Sequence, residues 1–166
     1  VELIFSPTDG TTSAILQAIE STDYDLSFAT LSFTRNDLGA AVIEAGSSLF
    51  INPEGAIEDV NASGSEYEAL VDAGIAVYSH QGISGQLHHK YAIVDQSQTL
   101  SDPTVVTGSH NWSTTAETTN DENTVVVHDA RIANLYYQEF RGMLNAMGVG
   151  IHEAGASEPT CRIYPN

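Results

Sequence analysis

At 166 residues and 42% hydrophobic content, the chain is sized for one domain with a single core. No apolar stretch reaches the ~18–20 residues of a helical membrane span. Twenty-two acidic residues against five Lys and Arg give a formal net charge of −17, which opposes the approach of long polyanions and anionic lipid. Two explanations fit that charge. One is adaptation to a salty habitat, where a Debye length of roughly 3 Å at 1 M salt mutes repulsion. The other is a substrate that is not a long polyanion. Cys161 is the only cysteine, which excludes an intrachain disulfide. The opening Val1-Glu2-Leu3-Ile4-Phe5 has no initiator Met, basic leader or small-residue cleavage site, so the chain reads as a trimmed piece or one domain of a longer protein.

Strand-like and helix-like patterns alternate, which predicts an α/β fold. Val1 to Phe5 reads as a strand ended by Ser6-Pro7-Thr8-Asp9-Gly10, and Thr11 to Glu20 as a helix with Ile15, Leu16 and Ile19 on one side. A strand is predicted over residues 25–32. Thr34 with Asp37 three residues on resembles a helix start. Leu38, Ala41, Val42 and Ala45 then form an i, i+3, i+4, i+7 stripe closed by Gly46. Residues 49–51 read as a short strand and 52–64 as a surface loop rich in Asn, Pro, Gly and Glu. Tyr67, Leu70 and Val71 mark a helix capped by Gly74, with a strand over 75–78. Residues 87–95 and 105–108 are expected as antiparallel neighbours joined by the polar stretch 96–104, with a further strand over 124–127. The strongest helix spans 130–147, with Ile132, Leu135, Tyr136, Phe140, Met143, Leu144 and Met147 on one face. These elements set a folded domain at 1–147 and a peripheral C-terminal tail at 148–166.

The only lysine of the chain, Lys90, lies two residues after His88 at the head of an apolar run. In an extended strand, residues i and i+2 share a face, so His88 and Lys90 emerge together and His89 points away. The same spacing pairs Ser109 with Asn111 and turns His110 aside, with Gly108 permitting close backbone approach. An imidazole, an ammonium, a hydroxyl and a carboxamide on one face, with a carboxylate downstream, are the inventory for chemistry on a phosphodiester.

The ordered set His88-His89-Lys90, Asp95, Gly108-Ser109-His110-Asn111 resembles the motif of the phospholipase D superfamily. The continuation from Ala116-Glu117 through Asn120-Asp121-Glu122-Asn123 resembles that family's short bacterial nuclease branch, as do Phe5-Ser6-Pro7 and Ser32-Phe33-Thr34. The resemblance covers most of residues 1–147. Two departures stand out: twelve residues separate Asp95 from Gly108, a longer spacer than the family's usual one, and the region after Phe50 lacks the family's third-strand pattern.

The resemblance implies a mixed central β-sheet flanked by helices on both faces, and a metal-independent phosphodiesterase, a nuclease by branch. Family enzymes use two His-x-Lys motifs, and this chain has one, so the resemblance implies a C2 homodimer with the site on its axis. One His88 would attack phosphorus and the partner's His88 would act as acid and then base. Lys90 and Asn111 would hold the non-bridging oxygens. Ser109 and Glu122 would support them, Glu122 by a hydrogen bond to the His88 ring nitrogen away from phosphorus. No cofactor or metal is implied.

Several residues carry plainer expectations. Asp95, at the far end of its strand, is expected to be structural rather than a proton-transfer group, with Asp95, Thr34 and Trp112 as possible supports of the site. Trp112 fits either the groove or the core. His89, His110, His128 and His152 read as structural or exposed, and a zinc site from His88, His89 and His110 is disfavoured because adjacent strand positions diverge. Glu117 reads as a helix-surface carboxylate, and Glu54, Glu58 and Asp59 as a solvated face. Arg35 is the only other cation expected near the site. Two alternatives remain open: a phospholipase D-type lipid phosphodiesterase, and a non-catalytic dimeric binding or assembly module of a larger protein.

Overall fold

The computed structural model describes residues 1–149. The expected tail, with His152 and Cys161, lies outside them apart from Gly148 and Val149. In chain order the elements are β1 (Glu2–Ser6), α1 (Thr11–Glu20), β2 (Leu26–Thr30), α2 (Asn36–Gly46), β3 (Glu54–Ile57) and α3 (Tyr67–Asp72). They continue as β4 (Ala76–Ser79), β5 (Lys90–Val94), β6 (Thr104–Gly108), α4 (Thr114–Thr118), β7 (Glu122–His128) and α5 (Ala130–Ala146).

The strands make one sheet in the order β1-β7-β6-β5-β2-β3-β4. β2, β3 and β4 are parallel, because the segments joining them return through α2 and α3. The remaining neighbours are antiparallel, and the hairpin β5–β6 pairs Tyr91 with Thr107 and Val94 with Thr104. Because side chains alternate across a strand, the sheet presents two apolar faces. Phe28, Ala92, Val94 and Val106 meet α1, α2 and α3 through Ile15, Ile19, Leu38, Val42 and Leu70. Ala29, Tyr91, Ile93 and Val105 meet α5 through Ala133, Phe140 and Leu144. Helices therefore cover both faces, as expected.

α5 is held at its start by Asp129, whose carboxylate accepts from the amides of Arg131 and Ile132. Asp95, buried and at a positive φ of 53°, closes the far end of β5. Its carboxylate accepts from the amides of Asp23, Tyr24 and Asp25 and from Ser101 Oγ, so it ties the start of β2 to the β5–β6 connection.

Four local expectations are corrected. Residues 49–51 are not a strand: Leu49 and Phe50 are exposed, and the third strand lies at Glu54–Ile57, inside the stretch read as a loop. Gly55 in that strand seats the Phe28 ring where a side chain would stand, a close approach that hides the usual β-forming pattern. α4 was not expected, being a single short turn capped by Ser113 Oγ. β5 begins at Lys90 rather than at residue 87, so His88 and His89 precede the strand.

Candidate active site

His88 and Lys90 do come together. Lys90 Nζ lies 3.1 Å from His88 Nδ1 and donates to the His88 carbonyl at 2.6 Å, which folds the lysine back over the strand entry. His88 is exposed and Lys90 buried. Burial pushes the Lys90 ammonium below its ordinary pKa, and the nearby Glu122 carboxylate opposes that shift. His89 turns the other way. Its ring stacks on Tyr91 with centroids 5.2 Å apart, and its Nε2 lies 3.1 Å from Glu139. Glu139 also accepts the Tyr91 hydroxyl at 2.6 Å. Burial raises the Tyr91 pKa, and the bond to Glu139 adds to it. Burial pulls the Glu139 carboxyl upward, but the bonds from His89 and Tyr91 win and hold it below its ordinary range.

These groups line a cavity of about 370 Å³, with Thr107 and Gly108 on one wall and Leu135 and Tyr136 from α5 on another. Gly108 permits the close approach of the β7 backbone: a Cβ there would stand 2.1 Å from the Asn123 carbonyl oxygen. Ser109 continues the ladder beyond β6, donating its amide to the Asn123 carbonyl at 2.9 Å, while its Oγ accepts the Asn123 amide at 3.1 Å. Asn111 follows on the same loop, and among the described residues its buried Oδ1 has no hydrogen-bond partner.

Trp112 is fully buried rather than in the groove. It meets Phe33 edge-on at 4.7 Å and Phe28 at 5.7 Å, and its carbonyl accepts the Thr34 amide at 2.8 Å. Thr34 thereby borders a separate shallow groove with Arg35 and Thr114, and Arg35 is paired to Asp37 instead of facing the His88 cavity. His110 is buried as well. Glu117 is not a surface carboxylate: its Oε2 accepts from the Thr12 amide at 2.8 Å and Thr12 Oγ1 at 2.7 Å, and lies 3.2 Å from His110 Nε2. It fills the N-terminus of α1 and pins the loop that carries Asn111. Burial lowers the His110 pKa, with Glu117 opposing. Glu122 is close enough to act on Lys90, but its hydrogen bond goes to Asn120 Nδ2 at 3.1 Å, and Lys90 occupies the His88 Nδ1 expected to meet it.

Sequence reasoning missed three groups. Glu139 falls on the inward stripe of α5, three residues after Tyr136, and a carboxylate interrupting such a stripe was a readable signal. Glu58 and His80, bonded at 2.7 Å, carried none, because their meeting depends on strand register. Glu54 is likewise not solvated but pairs with Arg141 at 2.7 Å. Among the described residues, no cluster of three or more His, Cys, Asp or Glu is arranged to hold a metal.

Comparison with known proteins gives this geometry a family. Nuc, a phospholipase D family member from Salmonella typhimurium, superposes with a TM-score of 0.75 at 25% identity, covering 87% of this chain and 93% of Nuc. NucT from Helicobacter pylori shares the fold, with a TM-score of 0.75 at 22% identity over 87% of this chain and 95% of its own. The mitochondrial cardiolipin hydrolase of Xenopus tropicalis is 44% identical over 79 residues, 48% of this chain and 34% of that protein. The chain thus spans about a third of the length of that curated relative. Residues 15–144 match the family model described as cardiolipin synthase, PLD-like domain. With most of its length inside that match, the chain belongs to the phospholipase D superfamily of phosphodiesterases.

Proposed function

We propose that the chain is a metal-independent phosphodiester hydrolase, a nuclease acting through a covalent phosphohistidine at the interface of a C2 homodimer. The observation that carries this reading is the 3.1 Å approach of Lys90 Nζ to His88 Nδ1 in the lining of the cavity, which engages Nδ1 and reserves Nε2 for the reaction. The reaction needs two proton arrangements of this ring. The imidazolium, protonated on both nitrogens, is the form of a general acid. The neutral ring with its proton on Nδ1 leaves the Nε2 lone pair free, the form of a nucleophile.

Two protomers supply both forms. The Nε2 lone pair of one His88 forms a bond to phosphorus as the bond to the leaving oxygen breaks, and the partner's His88 gives that oxygen its Nε2 proton. The same partner imidazole then takes a proton from water. The water oxygen attacks phosphorus, the phosphorus–nitrogen bond breaks, and both rings return to their starting states. Lys90 and the Asn111 Nδ2 group donate to the phosphoryl oxygens, while Ser109 and Glu122 support the wall and the charge balance. Two Lys90 side chains provide positive charge of the kind a divalent ion supplies elsewhere.

The nuclease assignment is supported by the nearly full-length match to the short chain of Nuc. A lipid diester is the second reading, favoured by the 44% identity to a cardiolipin hydrolase. One experiment separates them. Purified protein in EDTA is offered DNA, RNA, bis(p-nitrophenyl) phosphate, and vesicles of phosphatidylcholine or cardiolipin across a salt series. Nucleic-acid cleavage that grows with salt is expected, and His88→Ala should lower kcat by on the order of 1,000-fold. Vesicle hydrolysis without nucleic-acid cleavage establishes the second reading. Activity that survives His88→Ala, or that needs a divalent ion, overturns the mechanism. A monomer by light scattering at full activity overturns the shared site.

A further inference from the structure

We infer that Glu58 is a positioning residue: its carboxylate, together with His80, fixes the crossover segment that delivers His88. The segment leaves β4 at the edge of the sheet and enters β5 at its centre, so it passes over the ends of β3 and β2. Residues 81–86 are exposed throughout, and Gly82 and Gly85 take positive φ with open space around them. Such a stretch has little of its own to hold one path. Besides an exposed contact of Gln81 with Asn61 at 2.9 Å, it is fastened at its two ends. At its start His80 is buried, its amide donates to the Ile57 carbonyl at 3.0 Å, and its Nδ1 lies 2.7 Å from Glu58 Oε2. At its end Leu87 is buried and its amide donates to the same Glu58 oxygen at 2.9 Å. One carboxylate oxygen thus joins both ends of the crossover, one residue before His88.

Glu58 is itself placed by the sheet. It follows β3 directly, and its amide donates to the Thr30 carbonyl at the end of β2. The side chain is mostly buried, so its bonds are shielded from water and cost more to lose than surface contacts. Without it the Leu87 amide is left unpaired, and the chain around His88 keeps the buried Leu87 side chain, the Lys90 bond to the His88 carbonyl and the bond from the Leu31 amide to the His89 carbonyl.

The inference rests on His88 being the reacting group, so its test combines turnover with a measurement that needs none. In Glu58→Ala, kcat for bis(p-nitrophenyl) phosphate should fall by on the order of 100-fold, with KM much less affected, because misplacing a reacting group by ~1 Å has that effect. Glu58→Gln, which keeps an acceptor oxygen, should stay within a few-fold of the parent. Independently of activity, the Leu87 amide should exchange with deuterium much faster in Glu58→Ala than in the parent or Glu58→Gln. If Glu58→Ala does not fold, Glu58→Asp takes its place, since its shorter side chain cannot span both bonds. Unchanged Leu87 exchange in the truncated variant overturns the inference even if no diester is ever hydrolysed. So does full kcat in that variant, or a Gln variant as impaired as the Ala one. Accelerated exchange in a protein whose parent form has no diesterase activity upholds the latch and instead counts against the proposed function.

Discussion

Residues 109–113 carry Ser109 and Asn111, residues 80–89 carry His88, and the two segments are fastened by different means. The first segment is a wall. Ser109 extends the β6–β7 ladder, Trp112 is embedded between Phe28 and Phe33, and His110 is clamped by Glu117 to the start of α1. The second is an arm, exposed over 81–86 and joined to the sheet through Glu58 and the buried Leu87. Packing of large buried groups resists displacement in every direction, whereas one shared acceptor fixes only the points it bonds. The difference teaches that loss of stability and loss of activity should separate. Changes in the wall act through folding, and changes in the arm act through the placement of His88.

The largest expected effect on folding comes from the wall. Trp112→Ala removes a fully buried indole from the aromatic cluster and should destabilise the protein by about 3–5 kcal/mol, read as a lower urea midpoint. A smaller shift, below about 1 kcal/mol, would mean that the loop is held by the ladder alone.

The wall is also where the sequence was most legible. The order and spacing of Gly108, Ser109 and Asn111 marked a candidate site, and the reversal of His110 was expected from strand alternation. Helices α1, α2 and α5 were readable because each carries an apolar stripe of helical period. What stayed hidden depended on contacts between distant segments. β3 is a four-residue strand containing Gly55, whose missing side chain makes room for Phe28, so it has little pattern of its own. Glu58 and Glu117 read as surface carboxylates because most acidic residues are, and only the fold brings them to Leu87 and to Thr12. The Trp112 environment was equally undecidable from spacing, since its partners Phe28 and Phe33 lie on another strand and its exit.

The next effect in size tests the clamp within the wall. Glu117→Ala leaves the Thr12 amide and the buried His110 without their shared partner, and should cost about 1–3 kcal/mol. His110 adds a pH signature. Burial holds its folded pKa below the unfolded value of about 6.5, so the unfolded chain binds more protons as pH falls through that range. Stability from this residue is therefore complete above the unfolded pKa and is lost as pH drops towards the folded one. His110→Phe should flatten the decline in unfolding free energy between pH 7 and about pH 5 relative to the parent. An unaltered slope would show that His110 has the same pKa in the folded and unfolded states.

The smallest effect is expected at Arg35, at the outer edge of the wall, and it sharpens the comparison because Arg35 is the cation the sequence placed beside the site. Its guanidinium pairs with Asp37, a bond that raises the Arg35 pKa and lowers that of Asp37. Both side chains are partly exposed, at 22% and 40%, so water screens the pair and competes for its donors. Arg35→Ala should therefore change stability by less than about 1 kcal/mol, and that residue should vanish at high salt. Arg35 faces a groove with Thr34 and Thr114 instead of the His88 cavity, so kcat should also hold. A rise in KM for nucleic acid but not for bis(p-nitrophenyl) phosphate would have a specific meaning. It would show a long substrate crossing the wall to reach this cation, and extend the recognition surface beyond the groups around the reacting phosphorus.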